Sequence, residues 1–335
     1  TLGLRMASAL ALAHARGIVH RDIKPRNIIV GHEDLNQAKL LDFGIARLFG
    51  AQRAITQTGM ILGTAGYMAP EQARSEAEIG PAADVFSLGC VLFESLTGRP
   101  AFRGHHAMAL LAKLLFEEPA RLGDLDPELP VALVELVERM LAKPVAARPA
   151  DGDALWRCFV ELGPLESERA DRKPAAISSA ERCFRSVVAI APESEFALAE
   201  TAMLDPRPAT DLREAVERAV VPLGARVDVL LDGTLLIMLV DEQVQPRDQA
   251  LRAARCALWA RGSGKALALA LVTGWSSAHG SAPVGELLDR AAELLALAPP
   301  PAERSNLGVI LVDPATHDLI DERFEVHLEG ERLVL

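Results

Sequence analysis

Aromatic side chains are scarce, with ten Phe, three Trp and a single Tyr in 335 residues, or 4%. A core must therefore be packed from small and aliphatic side chains, which favours long helices. An excess of positive charge is also missing: the formal net charge is -11, which argues against nucleic acid or an anionic membrane as the main partner. Cysteine is thin and scattered. Cys90, Cys158, Cys183 and Cys256 have no metal-ligand spacing and read as reduced thiols of a cytoplasmic chain. No apolar run reaches the roughly 20 residues that cross a bilayer, and no signal-peptide pattern is visible, so the expectation is a soluble chain without a membrane span. A capping residue is missing as well. The chain opens at Thr1 inside the apolar helical pattern Leu2, Leu4, Met6, Ala9, Leu10 and Ala13, which reads as a cut piece.

What is present is a hydrophobic content of 50% and enough length for two ordinary domains. Residues 1-17 read as a helix ended by Gly17, delivering the loop His20-Arg21-Asp22-Ile23-Lys24-Pro25-Arg26-Asn27. Beyond it, Ile28-Ile29-Val30 and Ala38-Lys39-Leu40-Leu41 read as two short strands around a polar turn. That arrangement brings Asp42 of Asp42-Phe43-Gly44 back towards Asn27. The loop and the Asp-Phe-Gly triplet together resemble the catalytic loop and metal-binding motif of bacterial eukaryotic-type (Hanks-type) Ser/Thr protein kinases. The resemblance covers residues 1 to about 162 and implies a mainly α-helical kinase large lobe. It gives Asp22 the role of base or orienting carboxylate, Lys24 that of a charge on the transferring phosphoryl group, and Asn27 and Asp42 that of magnesium ligands. Lys24, Asn27 and Asp42 would thereby bind the cofactors, ATP and Mg.

The same resemblance makes the polar stretch after Gly44 an activation loop, closed by Gly63-Thr64-Ala65-Gly66-Tyr67-Met68-Ala69-Pro70-Glu71. Arg21 would pair with a phosphate on that loop, for which Thr56 and Thr58 are the candidates. Thr64 would shape the substrate-binding rim. Glu71 and Arg148 would form an anchoring ion pair, and Asp84, opening an apolar helix that ends near Gly98, would hold the catalytic-loop backbone. Phe86 stands where the family usually carries Trp. Further helices are expected at 106-118, 130-142 and 151-162 from apolar spacing. His105 and His106, adjacent and so on different helix faces, read as helix entry and not as a metal site. The Gly-rich loop, the strand lysine and its helix glutamate do not occur in this sequence; they would belong to a small lobe upstream of Thr1.

Residues 163-180 turn to charge, Pro and Ser and read as a linker. From 181 to 335 strands and helices alternate: strands near 184-191, 226-231, 234-240, 266-273, 308-312, 324-328 and 332-335, helices near 209-221, 247-260 and 284-297. The expectation is an α/β sandwich with helices on one face of the sheet, its Asp232-Gly233 turn closing a hairpin. The order of these elements, with the segments at 248-255 and 308-316, resembles a class III adenylate/guanylate cyclase homology domain of ferredoxin-like fold. Cyclase chemistry needs two metal-holding carboxylates. Asp232 matches one, but Ala191-Pro192 stand at the other, and Asp289 and Glu293 replace the family's Asn and Arg. The domain is therefore read as inactive, used for dimerisation or regulatory contacts. The whole reads as a Ser/Thr kinase fragment that transfers the ATP γ-phosphoryl group to protein Ser/Thr in bacterial signalling. A pseudokinase scaffold and a nucleotide cyclase are the alternatives.

Overall fold

The computed structural model describes residues 1-31, 34-42, 65-163, 182-191, 207-239, 244-262, 267-277, 284-300, 303-304, 308-320, 323-330 and 332-335. These fall into two compact units. One takes the described parts of 1-103 and 118-163, the other 104-117 together with the described residues from 182 onward.

In the first unit, α1 (Leu2–His14) buries Gly3, Met6, Ala7, Leu10 and Ala13 along one stripe, the spacing of a helix with one apolar face. The short strands β1 (Ile28–Ile29) and β2 (Lys39–Leu40) pair antiparallel, Ile28 opposite Leu40. A short helix α2 (Pro70–Ala73) precedes α3 (Ala82–Thr97), in which every residue from Ala82 to Phe93 is buried. A helix apolar all round belongs at the centre of its unit. It stops at Gly98, whose φ of 67° is the left-handed cap that costs glycine nothing. Phe86 of α3 is fully buried and stacks on Phe102 at 6.1 Å, with the Arg148 guanidinium 4.9 Å above its ring. The Phe86 ring is thus packed on both sides.

Helix α4 (Ala107–Phe116) groups with the second unit. The first continues through α5 (Leu122–Leu125), α6 (Val131–Met140) and α7 (Gly152–Leu162). α7 begins where the Asp151 carboxylate accepts the Ala154 N–H at 2.8 Å, an N-cap that satisfies one otherwise orphaned donor. Its first residue approaches α1 so closely that a Cβ on Gly152 would collide with the Ala11 nitrogen.

The second unit is built on one seven-stranded sheet. Its core runs β3 (Arg182–Ile190), α8 (Arg207–Val220), β4 (Ala225–Val229), β5 (Leu235–Leu239), α9 (Pro246–Arg261) and β6 (Ala268–Ser277). It continues with α10 (Val284–Ala296), β7 (Val309–Val312), α11 (Pro314–His317), β8 (His327–Glu329) and β9 (Arg332–Val334). The strand order is β4-β5-β3-β6-β7-β9-β8. β3 pairs antiparallel with both β5 and β6, while β6 and β7 are parallel.

The sequence expectation of helices on one face does not hold. Val188, Ile190, Leu269 and Leu271 face Val216 of α8 and Ala253 and Ala257 of α9. Ala268, Val309 and Leu311 point the other way, to Leu294 and Leu295 of α10. The reason is the parallel β6-β7 pair: such strands need a crossover, and its helix covers the open face. Both faces of the central strands are consequently apolar, and β5 is buried at all five residues. The last strands are shorter than expected, β8 beginning at His327.

Candidate active site

The loop from His20 to Asn27 is tied down from three directions. From α3, Asp84 reaches back. Its Oδ2 accepts the His20 N–H and its Oδ1 the Arg21 N–H, each at 2.7 Å, and the carboxylate is fully buried. A buried carboxylate is tolerable only with such donors. His14 supplies a third through Nε2 at 3.0 Å. Its Nδ1 accepts the Gly152 N–H at 2.9 Å, so the network assigns a neutral imidazole with its proton on Nε2.

From the strand side, His20 is fully buried and its Nε2 meets the Leu41 carbonyl at 2.8 Å. That ring nitrogen must donate, which leaves Nδ1 to accept the Asp22 N–H at 3.3 Å. The Leu41 N–H in turn donates to the Asn27 carbonyl at 2.8 Å. Asp42 follows directly, exposed and at a φ of 52°, so the Asn27 and Asp42 ends of the two strands emerge side by side.

Within the loop, Lys24 Nζ lies 2.9 Å from Asp22 Oδ2. Asn27 Nδ2 donates to the Asp22 carbonyl at 2.7 Å and to Asp22 Oδ2 at 3.1 Å. Turning the amide nitrogen towards Asp22 leaves Asn27 Oδ1 as the atom offered to a ligand. From the third direction Gln72 of α2 donates to the Arg21 carbonyl.

Glu71 and Arg148 meet as a buried pair. Arg148 Nη1 and Nη2 reach the two carboxylate oxygens at 2.8 and 3.0 Å, and the guanidinium also donates to the carbonyls of Ala142 and Lys143. This two-pronged geometry is the favourable one for a desolvated pair. Tyr67 donates to Glu94, and burial beside that carboxylate pushes its hydroxyl well above the ordinary range. Thr56, Thr58 and Thr64, with Phe43 and Gly44, lie outside the described residues.

Sequence reasoning missed His14 and Gln72. His14 had a signal: it falls on the buried stripe of α1 after Gly3, Ala7 and Leu10, where a polar side chain needs a partner. Gln72 had none, because nothing local announces a contact fifty-one positions away.

Residues 2–159 match the sequence model of the protein kinase domain. That stretch is similar to protein kinase sequence. Among similar proteins, serine/threonine-protein kinase PknA of Mycobacterium tuberculosis is 42% identical over 166 residues, half of this chain and 36% of that protein. Serine/threonine-protein kinase PknB of Mycolicibacterium smegmatis is 36% identical over 210 residues, 60% of this chain and 31% of that protein. A probable serine/threonine-protein kinase of Streptomyces coelicolor is 40% identical over 144 residues, 43% of this chain and 21% of that protein. The chain thus spans about a third or less of the length of these relatives.

The stretch from Asp22 to Asp42 places a carboxylate, an ammonium, an amide oxygen and a second carboxylate on two adjacent chain ends. Hard oxygen donors of this kind suit a Mg ion that keeps water and phosphate oxygens as its remaining ligands. No group of three or more His, Cys, Asp or Glu residues stands ready for a metal among the described residues. No described helix is long and apolar enough to cross a membrane.

In the second unit, Asp232 sits at the β4-β5 turn with Oδ1 accepting the Thr234 N–H at 3.0 Å. Burial raises its carboxyl above the ordinary value against the pull of that hydrogen bond. Ala191 follows β3 with its N–H on the Ala268 carbonyl at 2.9 Å. Asp289 of α10 is held by Lys113 Nζ of α4 at 2.6 Å. Arg290, its neighbour, reaches Asp313 Oδ2 at 2.5 Å and the Thr273 carbonyl at 2.8 Å.

Proposed function

We propose that the chain is part of a bacterial Ser/Thr protein kinase which moves the γ-phosphoryl group of ATP to a Ser or Thr hydroxyl of a protein substrate. The observation that carries this reading is the Asp22-Lys24-Asn27 cluster, locked by Asp84 and standing beside Asp42. Asp22 accepts or orients the substrate hydroxyl proton. Lys24, already within 2.9 Å of Asp22, would follow the transferring phosphoryl group and offset its charge. Asn27 Oδ1 and the Asp42 carboxylate would hold Mg, which when bound neutralises the phosphate oxygens. Arg21 and the threonines Thr56 and Thr58 are the proposed phosphate-responsive pair, and the protein would work in the cytoplasm.

For residues 181-335 we infer a cyclase homology domain used for dimerisation or regulatory contacts and not for catalysis. In support, β3, α8, β4, β5, α9 and β6 follow the βαββαβ order of a ferredoxin-like sandwich, with β3 between β5 and β6. Against catalysis stand the missing carboxylate at Ala191 and the commitment of Asp232 to its own turn.

The test is phosphate transfer from labelled ATP to a protein acceptor by the gene's complete product, wild type against Asp22→Asn. Loss of transfer by about a hundredfold or more, the scale of removing a positioned acid-base group, is expected. Equal activity of the two proteins would sink the assignment.

A further inference from the structure

The side chain of Gln72 makes two hydrogen bonds that pull in different directions. Its Oε1 accepts the Ala69 N–H at 3.1 Å, capping the start of its own short helix α2. Its Nε2 donates to the carbonyl of Arg21 at 3.0 Å. The residue is buried, 7% exposed, so neither bond competes freely with water. The acceptor is not an ordinary one. Arg21 has a φ of 65°, a conformation that a side-chain-bearing residue adopts only when its surroundings hold it. Its carbonyl belongs to the peptide group that leads into Asp22.

The two sides of that strained residue are held by different elements. Asp84 of α3 holds the Arg21 N–H at 2.7 Å, and Gln72 of α2 holds the Arg21 C=O. An N–H clamped without its C=O leaves the following peptide free to rotate, and with it the direction in which Asp22 presents its carboxylate.

We propose that Gln72 is a positioning residue for phosphoryl transfer: its amide fixes the Arg21-Asp22 peptide plane and so aims the Asp22 carboxylate. The inference rests on the kinase reading for its catalytic consequence. Because Gln72 follows Glu71, whose carboxylate is pinned by Arg148, the catalytic loop is coupled to the end of the segment that precedes α2. A change in the way Pro70-Glu71-Gln72 is seated would then reach Asp22 through one amide group.

Gln72→Glu separates the two bonds. The carboxylate keeps an acceptor for the Ala69 N–H but offers no proton to the Arg21 carbonyl, so α2 stays capped while the clamp opens. In the gene's complete product, kcat for a peptide substrate is expected to fall about tenfold, the scale of a small misplacement of a reacting group, with KM for ATP nearly unchanged. Lowering the pH protonates the carboxylate introduced by Q72E and restores a donor. The ratio of variant to wild-type kcat should therefore recover towards acid pH, which a loss of packing would not produce. Gln72→Met, which removes both bonds, should lose activity without that recovery.

Hydrogen exchange gives a readout independent of turnover. In this chain, the peptide spanning residues 18-27 should exchange faster in Q72E than in wild type, while one spanning 131-140 should not change. Unchanged exchange at 18-27, or a wild-type kcat in Q72E where Asp22→Asn is inactive, overturns the clamp. Activity in Asp22→Asn equal to wild type would instead overturn the kinase reading and leave the exchange result to decide the clamp.

Discussion

Asp84 is a fully buried carboxylate and Asp232 a partly buried one, and their neighbours give them opposite uses. Asp84 receives three donors, from His14, His20 and Arg21, so its charge is an asset to the fold. Asp232 has chiefly the Thr234 N–H, and burial outweighs it and raises the carboxyl above its ordinary 3.8. The folded state thus binds this proton more tightly than the unfolded chain does. The associated stability is fully present below pH 3.8 and is lost as the pH rises through the elevated folded value. Asp232→Asn keeps an acceptor for Thr234 and removes the titration. It should be more stable than wild type at neutral pH and lose that advantage towards about pH 4, which urea titrations at several pH values would check. No advantage at about pH 7 would contradict the assignment. Cys90 and Cys256, pushed by burial to about 12 and about 11, stay protonated and unreactive through neutral pH.

At the scale of elements, α1 was legible because its burial follows one helical period, and α3 because it is a long apolar run. Gly98 and Asp151 end α3 and begin α7 as turn chemistry dictates. What the sequence could not convey is how near two such helices come. Gly152 is the contact point of α7 on α1, and it also donates its N–H to His14. Gly152→Ala would force a methyl into the backbone around Ala11 unless the helices part. Destabilisation of about 1 to 3 kcal/mol is expected, the scale of overpacking a rigid contact, measured as a lower urea midpoint. The same substitution at Gly98 would meet no neighbour within 4 Å and would act through its left-handed φ alone. In the second unit the strands were legible but the covered face was not. Alternation marks a strand with one wet face, and β5, with five consecutive buried residues, offers no alternation to read. The Asp22-Lys24-Asn27 cluster was legible as a motif. Its supports, His14 and Gln72, were not, since hydrogen bonds to a distant backbone leave no local pattern.

Over the whole molecule, the supports of the loop from His20 to Asn27 are remote in sequence. The bonds from Asp84 to His20 and Arg21 span 64 and 63 positions, and that from Gln72 to Arg21 spans 51. Such non-local contacts repay their chain-closure entropy only once both ends exist. A nascent chain grows from its N-terminus, so the loop from His20 to Asn27 leaves the ribosome well before the carboxylate that shapes it. Ribosome-bound chains arrested with residue 80 just outside the exit tunnel should be cleaved readily by trypsin after Arg21, whereas chains arrested with residue 163 outside should resist. Equal protection at both lengths would contradict this order. The consequence of Asp84 reaching back to an earlier loop is temporal: the loop is translated first, but its geometry is withheld until translation has passed α3.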